Sequence, residues 1–197
     1  EGISLKQIGA LMKDVTILLI ALFLFFQSAF EGLINNWTTT YLIEVVQAPR
    51  NAALMGLSMY VAGMTVMRLL IGSVFRKVQS RSLLYGSFAL TLVALVLLRS
   101  AGSIIPAATG LFLTGAGLAA GFPIMLGLTG NRYPHLSGTA FSFVLVLGLL
   151  GNMIINYAMG QTAEHYGIRH LTTFTLAELL CLVIIATVIF RKLKHNK

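Results

Sequence analysis

Residues 15–46 read VTILLIALFLFFQSAFEGLINNWTTTYLIEVV, a run whose only charged residues are Glu31 and Glu44. A helix crossing a bilayer needs about 20 mostly apolar residues, so this run is long enough to span with residues to spare. Near its middle stand Glu31, Gly32, Asn35 and Asn36, which predicts a tilt or a local break there. Gln27, Glu31, Asn35 and Thr38 recur at three- and four-residue spacing, which draws one polar stripe along an apolar helix. Charged groups are costly at bilayer depth, about 2.5–3.5 kcal/mol each on insertion scales. The stripe is therefore expected to face a bundle interior or a water-filled cavity.

Five more apolar runs follow outward from this one: Ala52 to Phe75, Leu83 to Leu98, Ile104 to Leu128, Ser137 to Met159 and Leu171 to Phe190. Pro49, Gly102 with Pro106, Tyr133-Pro134 and Gly167 punctuate the gaps between them. Upstream, Ser4 to Asp14 reads as a short interfacial helix, with Ser4 and Gln7 at capping-box spacing. The expected organisation is a segment over 1–14, a six-helix transmembrane bundle over 15–190 and a basic tail over 191–197. No cleavable signal peptide is read at the start.

Composition agrees with that class. Of 197 residues, 57% are hydrophobic and 10% charged, and mean hydropathy is +0.86. Soluble domains carry about 25% charged residues, so too little polar surface exists here to face water all round. The fold class expected is an all-α membrane protein with six transmembrane helices. The formal net charge of +8 does not point to nucleic acid, because the cations sit at the ends of the apolar runs. Lys6, Lys13, Arg76, Lys77, Arg81, Arg132, Arg191, Lys192, Lys194 and Lys197 fall on one side, against Arg50, Arg99 and Arg169 on the other. That asymmetry places both termini in the cytoplasm, as six spans require.

Several residues admit two readings each. Glu31 either binds a proton or a polar solute, with Gln27 and Asn35 as partners, or closes a purely structural clasp between helices. Asn152 and Asn156, four apart on one face, suit a neutral polyol or sugar because an amide both donates and accepts. They suit helix–helix adhesion equally. Trp37 either stacks on a sugar ring or anchors at the membrane interface. Arg68, two turns inside the second run, either pairs with a carboxylate in a gate or snorkels to the headgroups. Glu178, beside Leu179 and Leu180, reads as packing against a neighbour. Gly115, Gly117, Ala120 and Gly121 let backbones approach closely, and Phe122-Pro123 interrupts the fourth run.

Enzyme chemistry finds no support. The lone Cys181 lacks a partner, and His165 and His170 have no metal-site context. No phosphate-binding loop or nucleophile elbow occurs, and no cofactor is expected.

Three stretches together resemble the second half, helices seven to twelve, of a major facilitator superfamily transporter. Phe30-Glu31-Gly32, Asn35-Asn36-Trp37 and Tyr41-Leu42 are similar to the polar patch of the seventh helix. Gly63, Arg68, Gly72, Lys77 and Arg81 match part of the cytoplasmic G-x-L-A-D-R-x-G-R-R loop motif. Arg76 stands at that motif's aspartate position and Gln79 at its second glycine, so the usual ion pair is not implied. Gly115 to Pro123, Tyr133-Pro134, Gly138, Gly148, Gly151 and Gly160 through Gly167 look like the tenth and eleventh helices and their loop. Within the superfamily the pattern is most similar to the fucose permease-type sugar symporters.

The resemblance implies a half-bundle in the plasma (inner) membrane, completed by an N-terminal six-helix half outside this sequence. It implies proton-coupled movement of a small polar solute, sugars first, through a site between the two halves. Gln27, Glu31, Asn35, Asn36, Asn152 and Asn156 are the expected solute contacts, with Glu31 coupling protons and Arg68 gating. The competing expectation is a membrane scaffold that binds a partner bundle and transports nothing.

Overall fold

A computed structural model of the chain describes Gly9, Leu11 and residues 13–195, the side chain of His195 excepted. Ser4 and Gln7, and with them most of the expected interfacial helix, lie outside the described residues, as does the end of the basic tail. The described residues are helical throughout, with no strand. From Val15 onward, seven α-helices succeed one another among the described residues: α1 Val15–Glu44, α2 Arg50–Gly72, α3 Ser80–Arg99, α4 Ile104–Leu118, α5 Gly121–Arg132, α6 Ser137–Tyr166 and α7 Leu171–His195. α4 and α5 form one span, so six helical segments are long and apolar enough to cross a membrane.

α1 is continuous, which corrects the break expected near Glu31. Nothing in that stretch removes a backbone donor, since it holds no proline. The Asn35 amide donates to the Glu31 carbonyl at 2.8 Å, adding a bond to the turn rather than opening it. The interruption falls instead at Ala119–Ala120, between α4 and α5. Pro123 accounts for it: the ring has no N–H to offer the carbonyl four residues back, at Ala119, and crowds it.

α1 is the hub. Its buried residues, among them Ile17, Ile20, Phe23, Leu24, Leu33 and Ile34, point to all sides, as expected of a helix enclosed by others. It packs most extensively on α6 and also meets α7, α2 and α5, while α4 fills the space between α2 and α3. The α2–α4 seam is a backbone contact. A side-chain carbon on Gly115 would strike the Tyr60 carbonyl oxygen, and one on Gly63 would strike that of Phe112. α2 and α6 each leave wide apolar faces uncovered, including Leu54, Met55, Leu69, Leu149, Met153 and Tyr157. Patches of that size mark lipid or another apolar partner.

Asp14 fastens the beginning of α1 to the end of α5. Its Oδ1 accepts the Thr16 N–H at 2.7 Å, capping α1, and its Oδ2 accepts the Tyr133 hydroxyl at 2.7 Å. Arg132 approaches the same oxygen at 3.6 Å. Burial alone would raise the Asp14 carboxyl, but the bonds from Tyr133 and Thr16 and the Arg132 charge together hold it below its ordinary value. Burial first, then the bond to Asp14, pushes the Tyr133 hydroxyl up to about 12.

A carboxyl lowered in the folded state stabilises above its unfolded value of 3.8, and loses that contribution as pH falls through the folded value. Asp14→Ala is expected to cost about 1 kcal/mol at neutral pH, the usual worth of a capping side chain. The gap from wild type should close only in strongly acidic buffer. Unfolding curves at both pH values check this, and a pH-independent gap would exclude the ionised carboxylate as its source.

Candidate functional site

The polar stripe does not share one environment. Gln27 is 1% exposed and Thr38 equally buried, Glu31 is half-buried, and Asn35 and Asn36 are exposed. Each four-residue step on a helix overshoots a full turn by about 40°. The stripe therefore winds from the interior at Gln27 to the open face at Asn35, and the three-residue step to Thr38, which falls about 60° short of a turn, brings it back inside.

At its inner end the Gln27 amide nitrogen donates twice. One bond reaches Glu31 Oε1 at 2.9 Å, and the other reaches the Leu118 carbonyl at 3.0 Å. Leu118 is the last residue of α4, so its carbonyl sits at the lip of the helix interruption. Gly121, just past that interruption, leaves the space that the Gln27 side chain fills. Sequence and fold meet here: the proline frees the backbone, the glycine gives room, and one amide ties the acid of α1 to the broken span.

Beside the stripe, Asn36 and Trp37 of α1 close a clasp with α6. The Asn156 Oδ1 accepts from the Asn36 amide at 3.0 Å and from the Trp37 indole N–H at 3.1 Å. The Asn156 amide in turn donates to Asn152 Oδ1 at 2.8 Å and to the Asn152 carbonyl at 2.9 Å. Asn152 lies over Gly32, where a side-chain carbon would meet its amide. Trp37 packs on Gly160, with ring carbons 3.6 and 3.7 Å from where a side-chain carbon there would sit.

Three of the six expected solute contacts, Asn36, Asn152 and Asn156, meet between α1 and α6, while Gln27 and Glu31 pair toward the α4–α5 interruption. Asn35 joins neither group; its amide turns back onto its own helix. Arg68 is exposed on α2 and makes no ion pair with Glu31. Among the described residues the one ion pair is Asp14–Arg132, and no cluster of His, Cys, Asp or Glu has metal-binding geometry.

Two groups escape a reading of the sequence. The Tyr60 hydroxyl of α2 is buried with no hydrogen-bond partner among the described residues. A tyrosine among apolar residues gives no signal of that kind. The Leu118 carbonyl is backbone, which composition cannot flag.

Glu178 is packed, as its neighbours suggest. It is 3% exposed and borders a shallow apolar groove with Phe26, Ile155 and Phe174, and neither carboxyl oxygen has a partner. A buried polar group left unpaired costs about 1–3 kcal/mol. Glu178→Leu is therefore expected to raise stability by about that amount, read as a higher unfolding midpoint in detergent. A fall in stability would mean that the carboxyl is partnered after all.

No protein-family model and no curated protein matches the chain.

Proposed function

We propose that this chain is one half-bundle of a secondary transporter of the major facilitator type, most similar to the fucose permease-type sugar symporters. It moves a small polar solute, a sugar in the first instance, by alternating access with proton coupling. The observation that carries this reading is the Gln27–Glu31 pair. It is an acid held at mid-length of the most enclosed helix by an amide that also grips the interruption of a neighbouring span. Intramembrane acids of this kind are expensive and mark solute or proton routes.

The chemistry follows from the donor count. The Gln27 amide nitrogen has two hydrogens, one on Glu31 and one on the Leu118 carbonyl. A proton or a solute hydroxyl arriving at Glu31 competes for the oxygen that Gln27 uses. The contact between α1 and the end of α4 is thereby sensitive to what Glu31 holds, which is the coupling an alternating-access device needs. Asn36, Asn152 and Asn156 offer a sugar both donors and acceptors once their mutual bonds open. In this reading both termini are cytoplasmic, in a plasma (inner) membrane, and a second six-helix half faces the open surfaces of α2 and α6. Arg68 then gates near the cytoplasmic end, and no enzymatic step is assigned.

One observation favours the scaffold alternative. Asn36, Trp37, Asn152 and Asn156 already satisfy one another across α1 and α6, which is what structural adhesion requires. A thermal-shift panel of hexoses and pentoses on the purified chain in detergent separates the two. A saturable, sugar-dependent rise in the unfolding temperature with a micromolar midpoint is expected for the transporter. A flat panel favours the scaffold.

A further inference from the structure

A groove without Glu31 in its lining lies at the end of the bundle where α3 begins and α5 and α7 finish. It measures about 730 Å³, within the roughly 300–1,000 Å³ of small-molecule sites. Three cations from three helices converge on it: Arg81, Arg132 and Lys194, with no acid in its lining. Arg132 shares its charge with Asp14 at 3.6 Å, while Arg81 rests over the Tyr85 ring at 5.8 Å. Neither Arg81 nor Lys194 has an ion-pair partner among the described residues.

The backbone adds to the same field. α3 starts inside the groove, at Gln79 and Ser80, and no side chain caps it. Its first N–H groups and the positive end of a 20-residue helix therefore point at whatever occupies the space. The rest of the wall is the amide of Asn131 and an apolar part made by Leu128, Phe190 and Leu193. A small free anion would gain nothing from that part. An anion carrying a hydrocarbon chain would use both.

We infer that this groove holds the phosphate of an anionic phospholipid, with Arg81, Lys194 and the start of α3 on the phosphate and Phe190 and Leu193 against the glycerol and upper acyl chain. Charge complementarity selects the headgroup and the apolar wall selects a lipid over free phosphate. The inference is independent of any solute at Glu31. Its position matches the side on which most of the loop cations lie, the side that faces anionic lipid in a positive-inside protein.

The test uses the full chain reconstituted in phosphatidylcholine vesicles, with spin-labelled phosphatidylglycerol and phosphatidylcholine of matched acyl chains. Wild type should immobilise the phosphatidylglycerol preferentially. Arg81→Gln with Lys194→Gln should reduce that preference about 30-fold, as expected for two surface cations at a lipid headgroup. Lys77→Gln with Arg191→Gln removes equal charge from the same end outside the groove lining and should leave the preference within about twofold. Lys194→Gln alone, in the last turns of α7, gives an intermediate loss and guards against a folding defect in the double variant.

Equal loss in both double variants would reduce the effect to net surface charge and overturn the site. Displacement of phosphatidylglycerol by millimolar inorganic phosphate would overturn the lipid as occupant. No preference in wild type would overturn the inference outright.

Discussion

Under the proposed transport function, Glu31→Gln in the full-length protein is expected to abolish accumulation driven by a pH gradient, leaving the solute at its equilibrium level, while exchange down a gradient continues. The geometry makes this substitution clean. Glutamine has the shape of glutamate and keeps an oxygen to accept from the Gln27 amide, now 2.9 Å from Glu31 Oε1. The bond to the Leu118 carbonyl at 3.0 Å is untouched, so the α1–α4 contact persists. What disappears is the ability to take up and release a proton.

A fold defect would lower exchange and accumulation together. A coupling defect lowers accumulation alone. Uphill, pH-driven uptake that is unchanged in this variant would remove Glu31 from the mechanism, and the scaffold reading would gain accordingly.

The largest structural effect is expected at the α2–α4 seam. Gly115→Val should destabilise the bundle by about 3 kcal/mol or more, beyond the usual cost of overpacking. The obstruction is backbone: the new side chain meets the Tyr60 carbonyl, with the Met64 nitrogen 2.9 Å from its first carbon. A side chain can change rotamer, but a helix backbone must move as a whole. The reciprocal approach of Gly63 to Phe112 means that the two helices cannot slide apart at one point only.

Gly127→Ala supplies the contrast. Nothing lies within 4 Å of a carbon added there, and alanine is the better helix former by about 0.5–1 kcal/mol. Unfolding midpoints in detergent should therefore fall sharply for Gly115→Val and hold or rise for Gly127→Ala. Equal midpoints would mean that the seam is not packed as described.

Much of the architecture is local and therefore legible from residues in order. A long apolar run declares a span wherever it stands, Pro49 precedes the start of α2, and Pro134 and Gly167 stop helices by backbone chemistry alone. The interruption by Pro123 follows the same rule. The break expected near Glu31 failed for a local reason too: polar side chains in a helix can bond their own turn, as Asn35 does, and leave the backbone whole. A cluster of Asn and Gly is a weaker breaker than one proline.

The sequence by itself determined the number and order of the six apolar helical segments, the basic asymmetry and the acid–amide spacing of Gln27 and Glu31, because each depends on neighbours a few residues apart. The ends were less legible, since the fifth and sixth segments run on to Tyr166 and His195, past the expected Met159 and Phe190. Only the tertiary structure decided that Gln27 reaches Leu118, 91 residues away, that Asn36 and Trp37 share Asn156, 120 and 119 away, and that Tyr133 closes on Asp14, 119 away. It also decided that Glu178 goes without a partner. Hydropathy and helical period repeat along one helix and hold no record of which face meets which neighbour. That choice is made by packing, where glycines admit a backbone or an amide and bulkier residues refuse it.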